Sequence, residues 1–433
     1  MNTTLEDKYS RIAALKPASN RAGADHTSRG FTVEHPEGSG RLAELLGAQA
    51  RKNRFGEHLV VRKWFSQPEE FAFEGTALNF LAPCAAPEAA DPREWLFLDT
   101  ETTGLAGGTG TYAFLVGIAW WDAGGLEVEQ FFMRDHGEEH SMLQALAERL
   151  KERRVLVTFN GKSFDWPLLE TRYRMTRSIA PPAPSAHLDF LHPARNLWRM
   201  KLGSVRLTEL ERSVLGWKRE GDVASELIPQ IYFDFLRGGS PQPLVAVFYH
   251  NQMDLRGLAG LAGRILALLA EPETQKSDAL ELFGVSRIYE RRGHTHRAQK
   301  LYQQSIQSDL PPLAKRQARR SLAQIARREG NFAFAADLWR SLLGPTREGI
   351  EAYEQLAIHY EHRAREPQQA ARLAQQALLD LRRAKQNGDI AASAHRRARA
   401  RFEHRLNRLA GKMKAKDLTV GRLISQFESG ASG

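Results

Sequence analysis

The chain of 433 residues contains one cysteine, Cys84, which excludes an intrachain disulfide and a zinc site built from cysteines. Long apolar runs are also missing: the longest, 113–121, is too short to span a bilayer and is typical of a buried strand. The first residues contain no basic segment followed by an apolar one, so no secretory signal is predicted. We therefore expect a cytoplasmic protein with no membrane partner.

Acidic residues are fewer than basic ones, 51 against 61, which gives a formal net charge of +10 and a pI near 9.7. A basic excess of this size favours an anionic partner, and nucleic acid is the usual one. The length allows two or three domains, at roughly 150 residues per domain.

The N-terminal part of the chain differs in pattern from the residues after Trp95. Residues 1–40 are polar and aperiodic, which predicts a disordered tail. Residues 41–93 are predicted to form an extension and linker that contains a short helix over 41–50 and a strand over 56–66. From Trp95 the pattern becomes α/β, with a helix over 141–152 and further strands over 95–99, 111–121, 127–133 and 155–159.

Two acids at alternate positions close the apolar stretch WLFLDTETTG, which begins at Trp95. Alternate residues of a strand point to the same face, so Asp99 and Glu101 are predicted to lie side by side. Two neighbouring carboxylates repel each other unless a cation lies between them. The pair therefore indicates either a metal site or a solvated turn, and this segment alone favours the turn.

Two other acids follow predicted strands. Asp165 comes after the strand 155–159 and precedes Pro167, so it could start a helix. It could equally bind a ligand, because open α/β sheets place their ligands beyond the ends of core strands. Asp189 is a further acid at the end of a predicted strand; a structural role or a contact with a group that supports the site is predicted for it.

A helical segment over 243–269 contains His250 and Asp254, which are four residues apart and so lie on one helical face. A surface hydrogen bond is the more common role of such a pair. Before this helix, the charged and aperiodic segment 216–232 is predicted to form the rim of a substrate site.

The order of these motifs resembles that of the DEDD superfamily of 3′-to-5′ exonucleases, and within it the YprB-type ribonuclease H-like group. Five segments between residues 95 and 270 carry the similarity: DTETTGL from Asp99, GGTGT from Gly107, FNGKSFDWPLL from Phe159, LTELERSVLGWKR from Leu207 and HNQMDL from His250. The resemblance implies an α/β ribonuclease H-like domain over 94–272, a mixed sheet flanked by helices.

The resemblance also implies that two divalent ions, Mg²⁺ or Mn²⁺, are bound by Asp99, Glu101, Asp165 and Asp254. Hard cations prefer oxygen ligands, and their charge would offset the repulsion among the carboxylates. In such sites one ion activates the attacking water and the other stabilises the leaving oxygen. Substrate contacts are predicted for three residues of the same motifs: Thr102, Asn160 and Phe164.

The residue that assists the attacking water departs from the family pattern. Histidine-type exonucleases usually carry this base five residues before the last acid, and tyrosine-type enzymes carry it four residues before. Here His250 lies four residues before Asp254 and Tyr249 lies five before it. His250 is favoured because it shares a helical face with Asp254 and because an imidazole titrates near neutral pH. Tyr249 stays open as the alternative.

The C-terminal half has no strand pattern and contains an internal repeat. Ala298, Ala335 and Ala370 recur at intervals near the roughly 34-residue tetratricopeptide period, and similar apolar residues precede each of them. Residues 277–381 therefore resemble about three degenerate tetratricopeptide hairpins, an all-α helical-repeat domain that could recruit a protein partner. An irregular helical bundle is the alternative.

The last segment, 382–433, is predicted to be a basic helix. Two explanations of its basic residues stay open: contact with the phosphates of a nucleic acid, or the solvated face of a helix that caps the repeats.

These patterns together predict a metal-dependent nuclease, a 3′-to-5′ exonuclease that hydrolyses phosphodiester bonds of DNA or RNA. The alternative is a non-catalytic nucleic-acid-binding or scaffold protein whose repeats recruit partners. The complete set of four acids favours the enzyme, because a site that has lost its activity has no reason to retain all of them. A transposase or resolvase of the same fold would arrange its acids differently.

Overall fold

The computed structural model describes six stretches of the chain: residues 38–66, 75–81, 87–104, 110–122, 124–275 and 277–429. Side chains are described within these stretches except at 75–76 and beyond residue 413. The predicted disordered tail, apart from its last residues, lies outside them. Cys84 and most of the glycine-rich loop after Gly104 also lie outside the described residues.

A seven-stranded mixed sheet forms the centre of the fold. Its strands in chain order are β1 (Gln49–Asn53), β2 (Gly56–Ser66), β3 (Trp95–Thr102), β4 (Ala113–Asp122), β5 (Gly125–Phe132), β6 (Val155–Thr158) and β7 (Ala186–Asp189). Their spatial order is β1-β2-β5-β4-β3-β6-β7. The pairs among the first five strands are antiparallel, whereas β6 runs parallel to both β3 and β7. The fold is therefore α/β with a mixed sheet, as predicted.

Helices cover both faces of this sheet. In chain order they are α1 (Ser39–Leu46), α2 (Glu139–Glu152), α3 (Asp165–Thr176), α4 (Leu191–Leu202), α5 (Leu207–Leu210), α6 (Ile228–Leu236) and α7 (Gln242–Ala270). Alternate residues of β3 enter opposite cores, as the period of a strand requires. Leu96 and Leu98 pack on the face covered by α2, α3 and α6, whereas Trp95 and Phe97 pack on the opposite face with α4.

The helix α7 crosses the fold and belongs to both cores. Its first turns place Leu244 and Phe248 in the core with α6, and its later turns place Leu258 and Leu266 in the opposite core. Among the described residues, no helix combines the length and apolarity that would let it cross a membrane. The long apolar face of α7 is thus accounted for by packing against the sheet.

The predicted helix over 41–50 is shorter than expected, and this part of the prediction is wrong. Gly47 adopts a left-handed conformation with φ of 61°, which ends α1 after Leu46. The chain then forms β1, which pairs with β2. Helix formation beyond Gly47 would leave that edge of the sheet without its last strand.

The C-terminal half folds as helices arranged in consecutive pairs. The helices are α8 (Ala279–Arg291), α9 (Thr295–Gln307), α10 (Pro312–Arg328), α11 (Phe332–Arg340), α12 (Arg347–His362), α13 (Pro367–Gln386) and α14 (Ala392–Ser429). They form three antiparallel pairs and a long final helix. The first pair is continuous with the sheet domain, because Phe283 and Tyr302 share one core with Trp198 and Phe97. Helix α8 approaches α4 closely at Gly284, where a Cβ atom would lie 2.8 Å from the Cα of Leu197.

Part of the charge of the basic C-terminal segment is used inside the chain. Glu361 at the end of α12 is buried and accepts hydrogen bonds from three cationic side chains of α14: Arg405 at 2.6 Å, Arg408 at 2.6 Å and Lys412 at 2.7 Å. These contacts hold the pKa of Glu361 at about 2, against the opposing effect of burial. The basic residues of α14 thus fix the last helix to the repeats.

We expect the substitution Glu361→Gln to destabilise the protein by about 3 kcal/mol at pH 7, because it leaves a group of cations without their buried counter-charge. Urea unfolding followed by circular dichroism measures this change. Glu403→Gln is the matched control, since its partner Arg399 and its own side chain are both exposed. That change should stay within about 0.5 kcal/mol. Equal losses in the two variants would contradict a special role for Glu361.

Candidate metal centre

The first two predicted acids lie at the end of the central strand β3. Asp99 pairs in register with Gly117 of β4, and Glu101 pairs with Leu115. The register shifts between Glu101 and Thr102, where the strand pairing becomes irregular. Glu101 is buried and Asp99 is half-buried on the face that α7 covers, and the two carboxylates therefore meet the side chains of that helix.

Asp165 reaches the same region from the neighbouring strand β6. The chain leaves β6 at Thr158, turns through Asn160 in a left-handed conformation with φ of 70°, and enters α3 at Asp165. Thr100 of β3 donates a hydrogen bond of 2.5 Å from its hydroxyl to Asp165 Oδ1. This contact ties the third acid to the strand that carries the first two.

The helix α7 supplies the remaining acid and the histidine. Side-chain ligand atoms of Glu101, His250 and Asp254 all lie within 4.8 Å of one another. His250 Nε2 lies 3.6 Å from Asp254 Oδ2, as the four-residue spacing on a helix allows. The other ring nitrogen, Nδ1, lies 2.7 Å from Asp222 Oδ1. The imidazole is therefore held between two carboxylates.

A buried arginine joins this group to a second pair of acids. Arg219 is 8% exposed in its side chain and lies 2.5 Å from an oxygen of Asp254 and 2.5 Å from an oxygen of Glu211. It also lies 3.1 Å from Asp222. Glu211 can come this close only because Gly257 has no side chain, since a Cβ atom there would lie 1.9 Å from Glu211 Oε1.

An amide network holds Asp99. Asn251 of α7 donates a hydrogen bond of 2.8 Å to Asp99 Oδ2 and accepts one of 2.8 Å from Gln130. Gln252 donates in turn to Gln130 at 2.7 Å. Gly117 makes room for this network, because a Cβ atom there would lie 2.0 Å from Asn251 Oδ1. The close approach of α7 to β4 thus depends on a glycine in the strand.

Burial and mutual repulsion raise the pKa values of the clustered acids. Burial raises the pKa of Asp99 well above its usual range, and the charges of Asp254, Glu101 and Asp165 add to this effect. The pKa of Glu101 is raised well above its usual range by burial and by Asp254 and Asp165. Burial raises the pKa of Asp165 to about 6, although the hydrogen bond from Thr100 opposes the shift. The cluster therefore binds protons, or another cation, more readily than isolated carboxylates do.

The donor set fits a divalent cation. One oxygen on each of three aspartates is fixed by a neighbour: Asp99 by Asn251, Asp165 by Thr100 and Asp254 by Arg219. No described residue donates a hydrogen bond to the carboxylate of Glu101. Hard cations prefer carboxylate oxygens as ligands. Here such oxygens face one another, and the nearby positive charge is too small to balance them. Asp99, Glu101, Asp165 and Asp254, with His250 beside them, could therefore hold such ions.

Other predicted features lie around this cluster. The segment 216–232, predicted to form the rim of a substrate site, brings Arg219 to the acids, where its side chain is buried. The physical reason is that Arg219 pairs with three carboxylates and is thereby excluded from water. Asp189 accepts hydrogen bonds from the backbone amides of Asn160 and Lys162, at 2.9 and 3.1 Å, which is the structural role predicted for it.

Sequence reasoning missed the residues that orient the acids. Arg219, Asp222 and Asn251 contact the cluster, and none of them was predicted as a site residue. Asn251 lies in the motif HNQMDL and Arg219 ends the motif LTELERSVLGWKR, so their positions in these motifs were usable signals. Asp222 lies outside the motifs and carried no such signal.

The raised pKa of Asp165 predicts how metal-free protein responds to pH. Folding raises the pKa of this acid from 3.8 to about 6, so the ionised acid lowers the free energy of unfolding. The loss is complete at pH values above the folded pKa and disappears as the pH falls below the unfolded pKa. Asp165→Asn should therefore stabilise the metal-free protein by about 3 kcal/mol at pH 8 and by about half as much at pH 5. Urea unfolding in a chelator measures both values. An advantage that does not change with pH would contradict a raised pKa at Asp165.

The sequence and fold of this chain are similar to those of known proteins. A family model described as RNase_H superfamily matches residues 96–266. The uncharacterized protein YprB of Bacillus subtilis (strain 168) is 31% identical over 287 residues, which cover 66% of this chain and 69% of YprB. A family B DNA polymerase from the hyperthermophilic archaeon Pyrobaculum calidifontis is 15% identical over 46% of this chain, and the match spans 29% of the polymerase with a TM-score of 0.31. The chain therefore belongs to the family of YprB and contains a domain of the RNase_H superfamily.

Proposed function

We propose that this protein is a metal-dependent nuclease that hydrolyses phosphodiester bonds of DNA or RNA. The observation that carries the proposal is the meeting of Asp99, Glu101, Asp165 and Asp254 in a domain of the RNase_H superfamily. The burial that raises the pKa values of Asp99, Glu101 and Asp165 is costly in a protein that does not use these acids. A binding protein would gain nothing from this arrangement, whereas a hydrolase that binds cations requires it.

The four carboxylates are proposed to hold two divalent ions, Mg²⁺ or Mn²⁺, and we assign His250 to the same centre. When bound, such ions lower the pKa of water and stabilise negative charge on the leaving oxygen. The protein contributes orientation: Asn251 fixes Asp99, and Arg219 fixes Asp254. Fixed ligands reduce the reorganisation that the reaction would otherwise need.

Substrate contacts are proposed for residues at the edge of the cluster. Phe164, which directly precedes Asp165, is 59% exposed, and an exposed aromatic ring can stack on a nucleobase. Thr102 follows Glu101 on β3, and Asn160 lies in the turn that leads to Phe164. All three residues lie near the acids in the chain. A nucleic-acid strand whose base stacks on Phe164 would therefore bring its phosphodiester backbone towards the carboxylates.

A cleft of about 410 Å³ lies between the sheet domain and the first helical pair. Lys162 lines it on the sheet domain, and Arg291 and Arg292 line it on α8. Positive charges on both walls suit the phosphates of a nucleic acid. The cleft therefore supports a polymer substrate that contacts both parts of the chain.

Within this proposal we favour 3′-to-5′ exonuclease action, on the resemblance of the four-acid pattern to that of the DEDD exonucleases. The assay incubates purified protein and Mn²⁺ with end-labelled single- and double-stranded DNA and RNA. A ladder of products shortened from the 3′ end supports the exonuclease. Internal products of fixed length would indicate an endonuclease, and the absence of cleavage with every substrate would contradict the proposal.

Asp99→Asn should reduce turnover by about 1,000-fold or more, because it removes a negative charge expected to bind the ions while it keeps the shape of the side chain. Nucleic-acid binding should persist, since the basic cleft is unchanged. Gel-based cleavage rates and fluorescence anisotropy measure the two effects separately. Asp122→Asn is the control, because Asp122 is an exposed acid at the end of β4. Full activity of Asp99→Asn would overturn the metal mechanism.

A further inference from the structure

The two ring nitrogens of His250 have different neighbours, and these neighbours bear on whether the side chain binds a metal or accepts a proton from water. Its Nδ1 lies 2.7 Å from Asp222 Oδ1. A carboxylate at that distance accepts a hydrogen bond from Nδ1, which leaves Nε2 as the ring nitrogen that can bind a cation. Nε2 faces Asp254 Oδ2 at 3.6 Å, and a carboxylate oxygen is likewise able to bind a cation.

A cation between these two groups would interact favourably with both, since each can offer an electron pair to it. Ser225 Oγ lies 3.4 Å from Nε2, a long contact for a hydroxyl donor. Arg219 binds the other oxygen of Asp254, Oδ1, and therefore does not fill the space next to Oδ2. No other described cationic side chain contacts Nε2.

The position of a third donor completes a possible ligand set. A carboxylate oxygen of Glu101 lies within 4.8 Å of both His250 and Asp254. Ligands on opposite sides of one small divalent ion are about 4 Å apart, so small movements of these side chains suffice to bind one ion together. His250 and Asp254 are four residues apart on a helix, and side chains at this spacing can bind one ion together.

The contact with Asp222 is the support that a ligand histidine needs. Metal-binding histidines usually donate their other ring N–H to a carboxylate or carbonyl group, which fixes the ring and raises its basicity. Asp222 is itself held by Arg219, at 3.1 Å. Arg219 thus binds both Asp222, which supports the imidazole of His250, and Asp254, which faces that imidazole.

We infer that His250 is a metal ligand: Glu101, His250 and Asp254 form one site for a divalent transition-metal ion, and Asp222 is the positioning residue of His250. This inference deepens the proposed function and rests on it for the presence of a metal. A site with one nitrogen and two carboxylate ligands favours Mn²⁺ over Mg²⁺, because imidazole suits transition metals better than it suits Mg²⁺. His250 in this role is not the base that removes a proton from water.

The decisive measurement is electron spin-echo spectroscopy of Mn²⁺ bound to the full chain after treatment with a chelator. We expect modulation from a directly bound nitrogen in the unaltered protein, and a changed pattern when histidine is labelled with ¹⁵N. His250→Gln should abolish the modulation, whereas His187→Gln, which alters a half-buried histidine outside the cluster, should retain it. Since the labelled protein carries no substitution, this result does not depend on the folding of a variant.

Calorimetry with Mn²⁺ or Mg²⁺ alone tests the preference between ions. His250→Gln should weaken Mn²⁺ binding at least tenfold and Mg²⁺ binding less than threefold, and Tyr249→Phe should change neither. Asp222→Ala should weaken Mn²⁺ binding by about tenfold or more. Asp222→Asn should restore most of the loss, because its amide oxygen can still accept the hydrogen bond from Nδ1. A structural role of Asp222 alone would weaken the binding of both ions equally.

Mn²⁺ bound without nitrogen modulation would overturn the inference. If cleavage nevertheless continues with either ion, the proposed nuclease function stands and His250 acts on water instead. If the protein binds neither ion and cleaves no substrate, the proposed function fails together with the inference. Modulation that persists in His250→Gln would assign the nitrogen to a different residue.

Discussion

The repulsion among buried carboxylates is the constraint on which the rest of this structure depends. Asp99, Glu101 and Asp165 have raised pKa values because burial removes water while neighbouring acids add negative charge. Arg219 supplies the compensating positive charge, and it shares this charge among Asp254, Glu211 and Asp222. One cation cannot balance so many acids, so the cluster keeps a net negative charge, which fits the proposed divalent ions. The uncompensated charge costs stability, as is common at functional sites.

The fold opposes this repulsion with close packing. Helix α7 is anchored in two cores, and this anchoring holds Asn251 and Asp254 against β3. Gly117 and Gly257 let the backbones and side chains approach more closely than any larger residue would allow. The geometry of the acids is therefore set by apolar contacts and glycines at some distance from the carboxylates themselves.

Much of this arrangement could be predicted from local sequence. The alternation around Asp99 and Glu101 predicts a strand and a shared face, and the structure places both acids on β3. The helical spacing of His250 and Asp254 predicts their proximity, and their nearest atoms are 3.6 Å apart. Arg219 could not be predicted in this way, because it joins Glu211 to Asp254 across a turn and a different helix. Periodicity describes one element at a time, whereas ion pairs between elements depend on how those elements pack.

The close contact between α4 and α8 has an evolutionary consequence. Gly284 leaves no room for a side chain against Leu197, and the first helical pair shares its core with the sheet. A recombination event at this junction would have to exchange both surfaces together, because either one alone would expose apolar residues or produce a clash. The same core continues into α10 through Ala318 and Leu322, so helices can be added, lost or replaced without opening this core only beyond α10. The unit that folds around one core is therefore larger than the sheet domain alone and includes α8, α9 and α10.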